Sequence, residues 1–129
     1  MKACSVSILS DSKAPNGFGV TNKEIMRIIE SEVSIHYCIC PKDWKNNSRK
    51  MGICEARQVF QYFMRNRTSY SLAEIGYYAG GLDHADIVHN VTKIKNLCYT
   101  YKDYNKMVKA IATNIDNEIQ ELILINLAS

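Results

Sequence analysis

The chain has 129 residues, of which 47% are hydrophobic and 22% are charged, and its formal net charge is +3. These proportions are ordinary for one small globular domain with a short tail. No apolar run approaches the roughly 20 residues that a membrane span needs, and residues 1–11 hold a weak apolar stretch that Asp11 interrupts. We therefore expect no signal peptide, no membrane partner and a cytoplasmic location.

The five cysteines do not form the pattern of a disulfide framework, because their number is odd and no secretion signal precedes them. The alternative is a metal site built from His36, Cys38, Cys40 and Cys54. A single residue between two thiols differs from the usual spacing of zinc ligands. We expect buried or half-buried free thiols instead, with no metal and no cofactor.

The chain divides into a tail and a helical domain. Residues 1–20 are rich in Ser, Asn, Pro and Gly, which predicts a loop with a short strand at Val6 to Leu9. The helical domain spans residues 21–129. Its first helix begins with a capping box, in which the Thr21 hydroxyl and the Glu24 carboxylate stand three residues apart.

This first helix is expected to end near Val33 and to be followed by an extended run from Ser34 to Cys40. Residues 41–52 hold a proline, a glycine, two asparagines and four basic residues, which predicts a basic loop. Trp44 in this loop either pins the loop to the core or stacks on a base, and we favour the first role.

The charge is unevenly distributed along the chain. Residues 42–67 hold seven Lys or Arg against two carboxylates, whereas residues 103–129 hold two Lys against four carboxylates. A basic patch of this size suits a phosphate backbone, although a solvated loop and helix face would have the same composition.

The next predicted helix runs from about Cys54 to Asn66 and has one wide apolar stripe, as a core helix should. The stripe consists of Ala56, Val59, Phe60, Phe63 and Met64. The opposite face carries Arg57, Gln61 and Arg65. Aromatic residues at this spacing indicate core packing and not a ligand site.

Two short signals then predict a helix, a tight turn and another helix. Ser71 and Glu74 form a second capping box, and Gly76 permits the close approach of a neighbouring helix. Gly80-Gly81 can adopt positive φ and end the first helix sharply. Asp83 is a favourable N-cap for the second helix. This order describes a helix-turn-helix.

The helix after Asp83 has a predicted buried stripe of Ile87, Val88, Val91, Ile94 and Cys98. The last helix is long, from roughly Tyr101 to Leu127, with an apolar face along its length. Its end, Ile119 to Leu127, is unusually apolar, which suits either extra core cover or a protein partner.

Several of these residues stand at the spacing of one family. The motifs are Arg57-Gln58, Ser71-Leu72-x-Glu74-Ile75-Gly76, Gly80-Gly81-Leu82-Asp83-His84, Ile87-Val88-His89 and Lys93-Ile94. This order resembles the C-terminal DNA-binding domain of the bacterial replication initiator DnaA. The resemblance is strongest in the middle third of the chain. It implies an all-α helix-turn-helix bundle of about five to six helices, with double-stranded DNA as the partner.

The resemblance also implies a role for each matching residue. Arg57 enters the minor groove, and Leu72 and Ala73 touch thymine methyls or backbone. The basic loop meets phosphates through Lys45, Arg49 and Lys50. The start of the second helix meets the major groove through Asp83, His84, Ala85 and Asp86, and Lys93 belongs to the basic pair that follows. From the residues alone, roles without DNA contact stay open for Asp83, as a helix cap only, and for His84, as a structural histidine. We also expect His89 to be structural.

The sequence departs from the family around the beginning of the second helix, which we call the reading end because this end would contact base edges. Leu82 stands where the family has an arginine, and Ala85-Asp86 stand where it has two threonines. Facing phosphate, the Asp86 carboxylate is repulsive, although in the first turn of a helix it is favourable by about 0.3–1 kcal/mol. We therefore do not expect recognition of the family's usual site, although we still expect DNA binding of some kind.

Two functions remain. The first is a stand-alone, sequence-selective DNA-binding protein, in replication or its regulation. The second is a protein-interaction module on the same scaffold, with weakened DNA binding. The sequence contains no G-x-x-x-x-G-K-S/T loop and no recognisable nucleophile–base signature, so we expect neither a nucleotide motor nor an enzyme.

Overall fold

The computed structural model describes residues 20–44 and 51–128. All regular structure in these two ranges is helical, which confirms the predicted all-α bundle. The six helices are α1 (Asn22–Tyr37), α2 (Pro41–Trp44), α3 (Met51–Arg67), α4 (Leu72–Tyr78), α5 (His84–Thr100) and α6 (Lys102–Ala128). The predicted strand at Val6 to Leu9 and residues 45–50 of the predicted basic loop lie outside the described residues. The prediction of a loop over residues 41–52 is wrong at its two ends, because residues 41–44 form α2 and residues 51–52 begin α3.

Helix α3 is the centre of the bundle and packs against α1, α2, α4 and α5. Its predicted apolar stripe is confirmed, because each of its five residues is at most 1% exposed. Trp44 at the end of α2 is fully buried, and its ring lies 5.5 Å from that of Phe60. This confirms that Trp44 pins the beginning of the basic loop to the core.

The other face of α3 is only partly exposed. Arg65 is exposed, but Gln61 is fully buried and Arg57 is only 9% exposed, although periodicity places all three opposite the apolar stripe. The reason is tertiary, because α5 packs over Gln61, whereas Arg57 bonds to the Trp44 carbonyl at the end of α2. The Asn90 amide donates to the Gln61 side-chain oxygen at 2.8 Å, and the Gln58 amide donates to the Asn90 oxygen at 3.4 Å. These bonds satisfy the Gln61 oxygen and the Asn90 amide, whereas the buried Gln61 Nε2 has no hydrogen-bond partner among the described residues.

Helix α1 begins as predicted, with both hydrogen bonds of the capping box between Thr21 and Glu24 present. It continues four residues beyond Val33, so the predicted extended run is wrong over Ser34 to Tyr37. The helix ends at Cys38, which adopts the left-handed conformation with φ of 57°. The Ser34 hydroxyl closes the end of the helix by donating to the Ile39 carbonyl at 2.6 Å.

Helix α6 crosses α1 and α5. Val108, Ile111 and Ile115 are buried, and the Arg67 guanidinium donates to the Asp116 carboxylate at 2.8 Å. Beyond this ion pair the helix keeps a half-buried face on the core and exposes other apolar side chains. The exposed ones are Leu124, Ile125 and Leu127.

The exposure of the cysteine side chains agrees with the prediction at two positions and contradicts it at two others. Cys54 and Cys98 are half-buried, as expected, whereas Cys38 and Cys40 are exposed because α1 ends at the surface. Over the described part of the chain no three His, Cys, Asp or Glu side chains gather as metal ligands. No helix in residues 20–44 or 51–128 is long and apolar enough to cross a bilayer.

Candidate nucleic-acid interface

The turn between α4 and α5 is fixed by backbone contacts. Gly80 and Gly81 have φ of 114° and 83°, values that only glycine adopts without strain. The Gly81 and Leu82 N–H groups both donate to the Gly76 carbonyl, each at 2.9 Å. A Cβ on Gly76 would lie 2.1 Å from the Leu82 carbonyl oxygen, so the chain passes directly over this glycine. The predicted close approach at Gly76 and the turn at Gly80-Gly81 are therefore confirmed.

The beginning of α4 is as tightly determined as its end. The Glu74 N–H donates to the Ser71 hydroxyl at 3.1 Å, and the Ser71 N–H donates to the Glu74 carboxylate at 2.8 Å. This confirms the second capping box. Leu72 is half-buried against the core, whereas Ala73 is exposed at the first turn of the helix. Both ends of this seven-residue helix are therefore set by its own sequence.

The amino-terminal end of α5 is open. Asp83 occupies the N-cap position with extended backbone, but its side chain makes no capping hydrogen bond. Instead its carboxylate lies 3.1 Å from His84 Nδ1, and both side chains are about two-thirds exposed, at 67% and 68%. Ala85 and Asp86 are exposed as well. The prediction that Asp83 is the N-cap residue is confirmed, while the alternative of a half-buried, structural His84 is wrong.

The rest of α5 is held by the core on one side. Ile87 and Ile94 are fully buried, and Asn90 bonds to α3. Val88, which we placed in the buried stripe, is 48% exposed. His89, expected to be structural, is exposed and lines a shallow groove of about 450 Å³ with Lys93 and other α5 residues. The scaffold thus leaves the outer face of α5 uncovered.

Lys93 is exposed and shares a face of α5 with Asp86, two turns away at about 100° per residue. Nearer the turn the charge is negative. Residues 71–92 contain three carboxylates, those of Glu74, Asp83 and Asp86, and no Lys or Arg. One of these carboxylates caps α4 and another pairs with His84, which leaves Asp86 as the carboxylate most open to a ligand.

Arg57 does not lie on this surface. Its Nε donates to the Trp44 carbonyl at 2.6 Å, and its guanidinium reaches the Cys54 sulfur at 3.9 Å. In this structure it anchors the end of α2, immediately before the basic residues Lys45, Arg49 and Lys50. Those three residues lie outside the described part of the chain, so their proposed phosphate contacts stay predictions.

Sequence reasoning missed two kinds of residue at this site. The first is the Gln58–Gln61–Asn90 amide cluster that orients α5, because no local pattern links residues some 30 positions apart. The second is Tyr77, which is 74% exposed on α4. Its spacing of four residues from Ala73 was the available signal, since residues at i and i+4 share a helix face.

A short helix, a glycine corner and a second helix with an open amino-terminal end define a helix-turn-helix protein. The chain belongs to one family of this class: the sequence model described as bacterial DnaA protein helix-turn-helix matches residues 18–94. The resemblance inferred from the motifs is thereby confirmed.

The similar proteins are named chromosomal replication initiator protein DnaA. The protein of Streptococcus thermophilus is 42% identical over 69 residues, which cover 54% of this chain and 15% of that protein. The protein of Thermus thermophilus is 27% identical over 110 residues, covering 85% and 24%. The protein of Campylobacter concisus is 33% identical over 91 residues, covering 70% and 20%. The chain therefore corresponds to about a quarter or less of the length of these relatives.

Proposed function

We propose that this chain binds double-stranded DNA sequence-selectively through α4, the glycine turn and α5, without catalysis. The observation that carries the proposal is the open end of α5, where Asp83 and His84 are two-thirds exposed beside exposed Ala85. A recognition helix presents its amino-terminal residues to base edges in the major groove. Membership of the DnaA helix-turn-helix family supports the same use of this end.

The Asp83–His84 pair suggests which bases are read. With Nδ1 directed at the carboxylate 3.1 Å away, a neutral imidazole keeps its proton on Nδ1 and presents Nε2 as an acceptor. An acceptor at this position matches the amino group of adenine or of cytosine in the major groove. Ala85 adds an apolar contact that suits a thymine methyl. His84→Ala should therefore relax the preference at one base pair without reordering the rest of the site.

Cationic contacts to phosphate must come from outside residues 71–92, because that segment carries no Lys or Arg. We assign it to phosphate contacts by Lys93 and by the predicted set Lys45, Arg49 and Lys50. Arg57 contributes by holding the Trp44 carbonyl, and so the beginning of that basic segment, against the core. Entry of Arg57 into the minor groove, as the resemblance implies, would require it to exchange the Trp44 carbonyl for the DNA.

The experiment is selection of bound duplexes from a random DNA pool at physiological salt, using the 129-residue chain. The expected result is an enriched sequence bound about 10³-fold or more tightly than a scrambled duplex. Binding should weaken steeply as salt rises, because phosphate contacts release counterions. Equal binding to every duplex would contradict selectivity, and no binding at low salt would contradict the whole proposal.

A role in replication or its regulation, as a stand-alone binder, is the biological form of this proposal. The support is that the relatives are named replication initiators. The selected sequence should then overlap the sites that a replication initiator from the same cell selects, and the chain should compete with that initiator for them. Selected sites that the initiator does not bind would separate DNA binding from replication.

A second candidate is a protein-interaction module. It is favoured by Leu82 and Asp86, which replace a cation and a hydroxyl of the family, and by the exposed apolar end of α6. The double variant Leu82→Arg with Asp86→Thr separates the two candidates. A change from no detectable binding to tight binding favours the interaction module, whereas a small change to an already tight complex favours the DNA reader.

A further inference from the structure

We propose that Tyr77 is a DNA-positioning residue whose phenolic hydroxyl donates a hydrogen bond to a backbone phosphate beside the site read by α5. This inference rests on the proposed function and adds a contact that lies outside the family motifs quoted above. Tyr77 is 74% exposed, and its hydroxyl forms no hydrogen bond within the described residues.

The helical geometry places Tyr77 toward the DNA. At about 100° per residue, Tyr77 lies only about 40° around the axis of α4 from Ala73. Both are exposed, whereas Ile75 and Ala79 on the opposite side are buried. In a docked helix-turn-helix the first helix crosses the phosphate backbone while the second enters the groove. The exposed face of α4 is therefore the face that meets phosphates.

The glycine turn brings this face close to the reading end of α5. Gly76 precedes Tyr77 and touches the Leu82 carbonyl, which is one residue before the N-cap Asp83. The Tyr77 carbonyl also accepts from the Gly80 N–H at 3.3 Å, so the backbone of Tyr77 belongs to the turn itself. The phenol thus emerges at the corner from which α5 enters the groove.

The Tyr77 ring packs against Tyr78, which in turn packs against Tyr70. Tyr77 meets Tyr78 edge-on at 5.2 Å between ring centroids, and Tyr78 lies 5.1 Å from Tyr70. Tyr70 is 5% exposed and belongs to the core. Such aromatic contacts restrict the rotamers of Tyr77 and lower the entropy lost when its hydroxyl is fixed on a ligand.

The local charge explains why a neutral donor is useful here. Residues 71–92 carry three carboxylates, Glu74, Asp83 and Asp86, and a lysine in this segment would be attracted to them as well as to phosphate. A neutral phenol can donate to phosphate and carries no net charge that would attract it to these carboxylates. It also releases no counterion, so its contribution to affinity should not depend on salt.

The test compares Tyr77→Phe with the wild-type chain on the selected duplex and on a scrambled duplex. Loss of the hydroxyl should weaken both complexes by a similar factor of about three to ten, because a phosphate contact carries no base information. The slope of affinity against salt should stay unchanged. Tyr99→Phe is the matched control, since Tyr99 is 94% exposed near the far end of α5 and should have no effect.

A single methylphosphonate, moved along the duplex, identifies the phosphate. One position should weaken the wild-type complex and leave the Tyr77→Phe complex unchanged. The proposal is overturned if Tyr77→Phe binds like the wild type, if it changes the selected sequence, or if it changes the salt slope. In each of these cases DNA binding itself survives. If the wild-type chain binds no duplex, the proposed function fails together with this inference.

Discussion

Replacement of Gly76 by alanine tests whether the corner between α4 and α5 is set by backbone contact. In an ordinary helix this change is favourable by about 1 kcal/mol, because alanine has the higher helix propensity. In this protein the new Cβ would lie 2.1 Å from the Leu82 carbonyl oxygen and 3.1 Å from the Leu82 carbonyl carbon. The Leu82 backbone would have to move by about 1 Å, since the interior is close-packed.

The size of the effect follows from what this movement disturbs. The Gly76 carbonyl accepts from both Gly81 and Leu82 at 2.9 Å, and each such bond contributes about 0.5–1.5 kcal/mol. Forcing an additional carbon into a packed site costs about 1–3 kcal/mol. After the gain in propensity, the net loss in free energy of unfolding should be about 3 kcal/mol.

The assay is urea unfolding followed by circular dichroism, together with DNA binding. Gly52→Ala is the matched control, because its Cβ would meet only Ile39 Cδ1 at an ordinary 3.8 Å. That control should be neutral or stabilising by up to about 1 kcal/mol. A Gly76→Ala chain as stable as the wild type, with unchanged DNA affinity, would refute the view that this contact sets the corner.

Three other predictions concern the anchor, the phosphate contacts and alkaline pH. Arg57→Ala should lower the free energy of unfolding by about 1.5–3 kcal/mol, because it removes a buried charged donor, and should weaken binding to the preferred duplex by about 1–3 kcal/mol. Urea unfolding measures the first effect and duplex titration the second. The control is Arg65→Ala, an exposed position, which should change stability by no more than about 0.5 kcal/mol. Lys93→Ala should weaken binding to all duplexes similarly and reduce the slope of log affinity against log salt concentration by about one unit. Lys109→Ala on α6 should leave this slope unchanged. Equal slopes for both variants and the wild type would mean that Lys93 does not contact phosphate. Burial, with the hydrogen bond to Glu55, raises the pKa of Tyr37 above its ordinary value near 10, so at alkaline pH the folded chain keeps a proton that the unfolded chain loses. Stability should therefore be constant up to about pH 9 and fall above about pH 10. Urea midpoints across this range should show the fall, and it should be less steep in Tyr37→Phe.

The parts of the fold that could be predicted from sequence are those encoded by neighbouring residues. Both capping boxes and the apolar stripe of α3 depend on residues at most eight apart, and the glycine turn depends on two adjacent ones. Each gave the correct element because a local hydrogen bond or one helical face decides it. The end of α1 was wrong because nothing local stops that helix: it continues while its side chains still pack on α3 and α6, and ends where Cys38 adopts the left-handed conformation.

The parts that could not be predicted depend on contacts between distant residues. Periodicity placed Arg57 and Gln61 opposite the apolar stripe, but polar residues can be buried when distant groups satisfy them. The partner of Arg57 is a carbonyl 13 residues earlier, and the partner of Gln61 is an amide 29 residues later. The exposure of Asp83 and His84 was predicted only through the family, because an N-cap residue can equally direct its side chain into its own helix.

The Asp86 carboxylate should stabilise the fold and weaken DNA binding, and this opposition gives a last prediction. It is the third residue of α5, where a carboxylate interacts favourably with the unpaired N–H groups by about 0.3–1 kcal/mol. That interaction matters more here because Asp83 makes no capping bond. The same carboxylate is the one most open to a phosphate, and at about 5 Å in water it would cost roughly 0.8 kcal/mol.

Asp86→Asn keeps the shape of the side chain and removes its charge. The variant should therefore be less stable to urea by about 0.3–1 kcal/mol and should bind every duplex two- to fivefold more tightly, with the gain decreasing as salt screens the charge. Asp103→Asn, in the first turn of α6, is the control for the helix effect alone and should lower stability without changing affinity. A loss of affinity in Asp86→Asn would mean that this carboxylate accepts a hydrogen bond from a base, and the reading end would then use its negative charge for selection.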